Sequence, residues 1–380
     1  MFPVEKFSKI PTPFYYYDLA LLNETLTAVE AASPDPAFKV HYAVKANSNE
    51  RILRMIADRG FGADTVSGGE IVRAIECGFK PEHIVFAGVG KTDAEISEAI
   101  RLGIGCFNVE SAEELDVIIE HASRLGKVAR VALRVNPEID AHTHHFITTG
   151  LAENKFGIAM PMLDDLLHRC AESEWIDFRG LHFHIGSQIT IGEPYIELCH
   201  RINRLTANIE STGIEIPTIN VGGGLGINYD DPDADPIPDF QSYFDIFRQN
   251  LRLRPGQELH FELGRSVVGQ CGSLISRVIY VKKGLEKQFV IIDAGFTDLI
   301  RPALYQAHHK IENISSDAAA THRYDVVGPI CESSDTFGMN ELLPHTHRGD
   351  LMALRSAGAY GEVMASQYNC RPLPPSYFSE

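Results

Sequence analysis

Short apolar, β-branched runs return eight times in the first 264 residues, with stretches of helical spacing between most of them. They read HYAVKA (41–46), FGADTV (61–66), IVFAGV (84–89), IGCFNV (104–109), VARVALRV (128–135), FRGLHFHIG (178–186), IPTINVGGG (216–224) and ELHFELG (258–264). Strand-like runs alternating with helices define βα units. One of the helices, SAEELDVIIEHASRLG, opens on Ser111 and Glu114 in the S-x-x-E spacing of a capping box. Eight such units is the count of a (β/α)8 barrel, with a doubly wound sheet as the competing solution.

The rhythm changes after about residue 266. GSLISRVIYVKK, KQFVIIDAG, YDVVGPIC and DLMALRSAGAY are mostly extended, and Pro11 and Pro13 bias the opening PTPFYYYD away from helix. An α/β chain with two domains is expected: a barrel over residues 25–266, and a separate β domain built from 1–24 with 267–380. The 380 residues leave room for both. The acidic, proline-rich DDPDADPIPD (230–239) reads as a solvated excursion.

A net charge of −17 argues against general affinity for nucleic acid or anionic membrane. No apolar run has the length of a membrane span, and the N-terminus lacks the pattern of a signal peptide. The seven cysteines, an odd number with no C-x-x-C pair, suit reduced thiols in the cytoplasm.

Barrel enzymes place their chemistry at the C-terminal ends of the strands, and several unusual polar residues fall there. Lys45 sits among Tyr42, Ala43, Val44 and Ala46, which read as buried strand, where an ammonium is costly without a partner. Alternation places His182 and His184 on one face of their strand, and His260 with Glu262 on one face of another. Core histidines held by hydrogen bonds account for the first pair equally well. A carboxylate in so apolar a strand must be paired. Three glycines, Gly222, Gly223 and Gly224, follow a strand, where bare N–H groups suit either a phosphate or a tight turn. His142, His144 and His145 lack metal-ligand spacing and read as a solvent loop. A lysine, a strand carboxylate, a glycine cradle and a histidine at one barrel mouth together meet the needs of pyridoxal phosphate. That cofactor takes an amine as a Schiff base and a carboxylate at its ring nitrogen.

YAVKAN, VSGGE, KFGI, GLHFHIGSQ, NVGGGLG, IIDAG, LIRPALY, GPICES and GAYG occur in an order that resembles the fold-type III pyridoxal-phosphate decarboxylases along essentially the whole chain. The resemblance implies Lys45 as the Schiff-base lysine, His184 stacked on the cofactor ring and Glu262 at the ring nitrogen. It implies Ser187 and glycines 222–224 at the phosphate, with Arg265 and Tyr360 nearby, and Asp64 in the cofactor pocket. Arg265, Arg301, Tyr305 and Tyr360 would contact the substrate. Cys331 and Glu332 would be contributed across a homodimer interface, with Cys331 or Lys45 as the proton donor. Leu263 in ELGR departs from the family's usual proline.

Charge then points to the substrate. A simple diamine precursor such as ornithine, lysine or arginine ends in a bare ammonium, whereas meso-diaminopimelate carries a distal ammonium and a distal carboxylate. With Pro302 in a first helical turn, Arg301 and Tyr305 share a face at i and i+4, and arginine grips carboxylates with paired hydrogen bonds. Decarboxylation of meso-diaminopimelate is therefore expected. The alternatives are a decarboxylase of those simpler amino acids, a racemase of the same fold, or a non-catalytic binding relative.

Overall fold

The computed structural model describes residues 2–137, 139 and 155–380; the histidine loop 142–145 lies outside them. After β1 (Phe14–Tyr17) come β2 (Phe38–Ala43), β3 (Gly62–Thr65), β4 (Ile84–Phe86), β5 (Cys106–Val109), β6 (Ala129–Arg134), β7 (Ile176–His182), β8 (Thr218–Asn220) and β9 (Glu258–Leu263). Strands β2 to β9 form a closed barrel, each parallel to its neighbours. The pairing of β2 with β9, from Phe38↔Leu259 to Tyr42↔Leu263, shuts the ring and rules out the open doubly wound sheet. Strand β9 runs unbroken through the buried Leu263, so leucine in place of proline leaves the backbone extended there.

The outer face of β9 shows how the helices are held on. Phe261 is fully buried, with ring centroids 4.8 to 5.2 Å from those of Phe244, Phe38 and Phe247. Burying one such ring stabilises by roughly 2–3 kcal/mol. Around the barrel, helix Glu50–Asp58 is capped by Asn49 and helix Asp93–Leu102 by a full capping box of Thr92 and Glu95. The box expected at Ser111 is only half formed. The Ser111 hydroxyl accepts the Glu114 N–H, but the Glu114 carboxylate turns instead to Lys91 and to the backbone N–H of Glu110.

The chain divides into two compact units: Leu26–Gly226 with Asp239–Gly264, and Met1–Thr25 with Ile227–Pro238 and Arg265–Glu380. The second unit contains β10 (Gly272–Lys283), β11 (Gln288–Ile292), β12 (Ile311–Asn313), β13 (His322–Val327), β14 (Thr336–Leu343), β15 (Leu351–Leu354) and β16 (Ser376–Phe378). Its sheet runs β12-β15-β10-β11-β13-β14, and β1 pairs antiparallel with β10 and parallel with β16. The proline-biased opening thus joins the C-terminal strands around a core of Phe7, Phe14, Ile275, Leu351 and Ala353.

The acidic loop is largely exposed, as a solvated excursion should be, but it is also tied down. It is anchored within the second unit, where Lys310 meets Asp231 at 3.2 Å and Arg355 meets Asp233 at 2.7 Å. Exposed pairs like these contribute little singly. Their consequence is positional, because the same segment brings in Tyr229.

Candidate active site

Strand β2 stops at Ala43, and Val44–Ala46 form a 3-10 turn. Val44 and Ala46 remain buried while the Lys45 side chain is 40% exposed, so Lys45 lies beyond the strand end rather than inside the strand. Its Nζ donates to Asp64 Oδ2 at 3.0 Å. Asp64 sits near the end of the adjacent β3 and is completely buried. Its second oxygen, Oδ1, has no partner among the described residues.

Glu262, near the end of β9, is buried and held by two side-chain amides and an imidazole. Its Oε1 accepts from Asn220 Nδ2 at 2.8 Å and from Asn108 Nδ2 at 3.1 Å. His182 Nε2 lies 3.1 Å from Oε2 and must donate, since an ionised carboxylate only accepts. Burial pushes the Glu262 carboxyl up, but the His182 imidazole, its hydrogen bond and the Lys45 ammonium outweigh that and hold it well below the usual range. For Asp64, burial and then the negative charge of Glu262 win over Lys45 and push the carboxyl up to about 6. Two carboxyl groups in one barrel are thereby driven apart, with Glu262 the one that stays ionised. His182 is thus a hydrogen-bonded core histidine that also serves the site. His260 does not join Glu262; its Nδ1 lies 2.9 Å from His41 Nε2, deeper in the barrel.

The glycines follow β8. A Cβ on Gly223 would lie 1.9 Å from the Glu262 carbonyl oxygen, and one on Gly222 would lie 2.5 Å from that of Phe183. Gly222 and Gly224 also take φ of +68° and +103°, which side chains disfavour. Bare backbone is therefore required here. Asn220 ties this turn to the carboxylate: its Oδ1 accepts the Gly222 N–H at 2.8 Å while its Nδ2 serves Glu262. Past β7, His184 Nδ1 accepts the Gly223 N–H at 3.4 Å. Burial, then the charges of Arg134 and Lys45, push the His184 imidazole down to about 3, so the ring is neutral. Ser187 lies half-buried three residues further on.

A supporting shell carried no sequence signal. Lys91, its side chain 1% exposed, donates to the Gly88 and Asn108 carbonyls and to Glu114. Arg134 Nη1 meets Glu110 Oε1 at 2.7 Å, and the other Glu110 oxygen accepts the Gly157 N–H. Both pairs are buried and hold the turns that follow β4, β5 and β6. Asn108, which serves Glu262, is fixed in this way.

The second unit holds the remaining expected residues. Arg265 is buried, donates to the Tyr229 hydroxyl and lies 5.0 Å from the centre of the Tyr360 ring. Arg301 opens the short helix Arg301–Tyr305, with Pro302 in its first turn as expected, and is 5% exposed. Its Nη1 lies 2.8 Å from His309 Nε2, its Cζ lies 4.9 Å from the Tyr229 ring centre, and its buried Nε has no partner among the described residues. Tyr305 ends the same helix, half-buried. Cys331 and Glu332 are exposed, on a turn that follows Pro329. The turn is set by buried Asp335, whose carboxylate accepts the N–H groups of Ile330 (2.7 Å) and Phe296 (2.6 Å). Tyr368 donates to Glu332 Oε1 at 3.1 Å.

The barrel residues fit pyridoxal phosphate. Glycine backbone stands where any Cβ would collide, Asp64 Oδ1 is buried without a partner among the described residues, and Glu262 Oε2 keeps one acceptor position beyond His182. A barrel mouth of this kind, with an amine beside it, is that of an enzyme working through a phosphorylated aldehyde. Residues 19–269 match the family described as pyridoxal-dependent decarboxylase, pyridoxal binding domain. A diaminopimelate decarboxylase of Bacteroides thetaiotaomicron is 57% identical over 381 residues, covering 100% of this chain and 98% of that one. Solved structures of diaminopimelate decarboxylases complexed with L-lysine are similar throughout. The Helicobacter pylori enzyme has a TM-score of 0.91 at 40% identity, covering 99% of this chain and 94% of that one. The M. jannaschii enzyme has a TM-score of 0.91 at 35% identity, covering 99% and 89%. The chain belongs to the pyridoxal-dependent decarboxylase family.

Proposed function

We propose that this chain uses pyridoxal phosphate to decarboxylate meso-2,6-diaminopimelate to L-lysine and carbon dioxide, the last step of lysine biosynthesis, in the cytoplasm and as a homodimer. Full-length similarity to diaminopimelate decarboxylases supports the activity. The observation that carries the substrate is Arg301: a buried guanidinium whose polar neighbours among the described residues are His309 and Tyr229 rather than a carboxylate. Such a cation is matched by a ligand carboxylate, which the far end of diaminopimelate supplies and a simple diamine precursor lacks.

When bound, pyridoxal phosphate supplies the electron sink for the pair left behind as the C–CO2 bond breaks. Lys45 binds the cofactor covalently, with its amine steered by Asp64. Glu262, held ionised, keeps a proton on the ring nitrogen, and Asn108, Asn220 and His182 hold Glu262 in place. His184 packs as a neutral ring against the cofactor, and Gly222, Gly223, Gly224 and Ser187 bind its phosphate, with Arg265 and Tyr360 assisting. Arg301 and Tyr305, with Arg265 and Tyr360, receive substrate carboxylate, and Glu332 receives the distal ammonium. The Cys331 thiol or the Lys45 amine returns a proton to the carbon that has lost carbon dioxide.

Carbon dioxide release from purified protein supplied with meso-diaminopimelate, lysine, ornithine or arginine tests the reading. Strong preference for meso-diaminopimelate is expected, and Arg301→Ala should lower its kcat/KM by about 10²-fold or more and narrow the preference. Comparable wild-type turnover of lysine or ornithine would overturn the assignment.

A further inference from the structure

We propose that His309 is the positioning residue of the distal-carboxylate subsite, a neutral hydrogen-bond acceptor that fixes Arg301 without cancelling its charge. This rests on the reading of Arg301 given above and goes beyond it by identifying what makes that arginine selective.

The hydrogen bonds determine the tautomer. His309 Nδ1 lies 2.8 Å from the Arg355 carbonyl oxygen, which can only accept, so Nδ1 carries the hydrogen. Arginine can only donate, so Nε2, 2.8 Å from Arg301 Nη1, presents its lone pair. The ring is therefore neutral. Burial is complete, and burial followed by the Arg301 charge pushes the imidazolium down to about 3. Tyr229 closes the arrangement, edge to face with His309 at 5.1 Å and 80° and with its ring 4.9 Å from the guanidinium carbon.

Each replacement at this position fails for a different reason. A carboxylate would pair with Arg301 and compete with the incoming substrate carboxylate. A cation would set donor against donor and charge against charge. An apolar side chain would leave Nη1 unsatisfied and the long side chain unheld. A neutral acceptor fixes the guanidinium while its charge and its buried Nε–H remain for a ligand.

The chemistry of the reaction supplies a matched pair of probes. Loss of carbon dioxide from one end of diaminopimelate leaves the other amino-acid end intact, so L-lysine keeps the distal carboxylate. Cadaverine is the same molecule without it. Competitive inhibition constants for both are measured on the pyridoxal-phosphate-loaded enzyme. His309→Leu is expected to weaken L-lysine by roughly 10- to 100-fold, as for loss of one oriented charged contact, and cadaverine by less than about twofold. His309→Gln, which can offer an oxygen near the place of Nε2, should recover most of the lysine affinity. In turnover, His309→Leu should raise KM for diaminopimelate more than it lowers kcat.

Equal weakening of lysine and cadaverine, or a folded His309→Gln no better than His309→Leu, would overturn the proposal. If His309→Leu fails to fold, His309→Glu decides. It retains an acceptor but cancels the charge, so lysine binding must fall selectively, and unchanged lysine binding refutes the role. Arg301→Ala separates the two layers of inference. If it does not discriminate lysine from cadaverine, the reading of Arg301 itself fails. If it does and His309→Leu does not, only the role of His309 is lost.

Discussion

His41, His184 and His309 are each pushed, chiefly by burial, from an ordinary value of 6.5 down to about 3. The sign of the consequence follows from linkage. A folded value below the unfolded one means that the unfolded chain binds the extra proton first. Stability is therefore lost as pH falls below 6.5, by about 1.4 kcal/mol per pH unit per group, until the folded value is reached. Buried carboxyls act in the opposite sense across an overlapping window: burial pushes Asp64 and Asp298 up to about 6 and Glu70 up to about 7, and raises Glu114, Asp335 and Glu341 as well. They add stability below their folded values and lose it as pH rises through them, which flattens the wild-type profile. His309→Gln removes one histidine contribution and leaves the carboxyls in place. Relative to wild type, the variant should gain about 1.4 kcal/mol per unit as pH falls from 6.5 toward 4, seen as a shift in urea midpoints. A difference between the two proteins that does not vary with pH would show that His309 gains its proton equally in both states.

At this scale the sequence was legible where chemistry needs a rare residue in an improbable place. Lys45 beside an apolar strand and Glu262 within one stand out by residue type alone. Their partners do not. Asn108 and Asn220 are ordinary amides in short strands, and nothing in their spacing reveals that both donate to Glu262. His309 lies in AHHK, beside the half-exposed His308, and composition does not distinguish the two. Tyr229 belongs to a segment that reads as polar loop, and only long-range pairing places it between two arginines.

Among the elements, periodicity located all eight barrel strands because parallel strands buried on both faces read as continuous apolar runs. It overran their ends. HYAVKA and FRGLHFHIG continue past Ala43 and His182 since buried turn residues are as apolar as the strands they follow. The overrun matters, because Lys45 and His184 owe their positions to lying just beyond those ends. The turn after β8 yields a test at this scale. Gly223 approaches the Glu262 carbonyl so closely that an added methyl must push β8 and β9 apart at their ends. Gly223→Ala should lower the melting temperature and weaken pyridoxal phosphate binding at least about tenfold by equilibrium titration of its absorbance, because cradle and carboxylate move together. Unchanged affinity would mean that this turn is merely tight and does not hold the phosphate.

For the whole molecule, Lys45 and Glu332 belong to different compact units, and the homodimer proposed above assigns them to different subunits of one site. Exposure of Cys331 and Glu332 is consistent with residues offered to a second chain, and Asp335 and Tyr368 hold them in a defined turn. Complementation examines the assignment directly. Lys45→Ala and Glu332→Ala chains should each be nearly inactive alone, while both retain wild-type circular dichroism. In a mixed dimer, the Glu332→Ala chain still brings Lys45 and the Lys45→Ala chain still brings Glu332, so one of the two sites is whole and the other lacks both. With free exchange and equal amounts, half the dimers are mixed, and activity should return to about a quarter of wild type. Exchange is verified separately by pulling down one tagged variant and weighing the untagged chain recovered with it. If mixed dimers are recovered and activity stays at the level of the single variants, each site is built within one chain, and Glu332 acts beside the Lys45 of its own subunit.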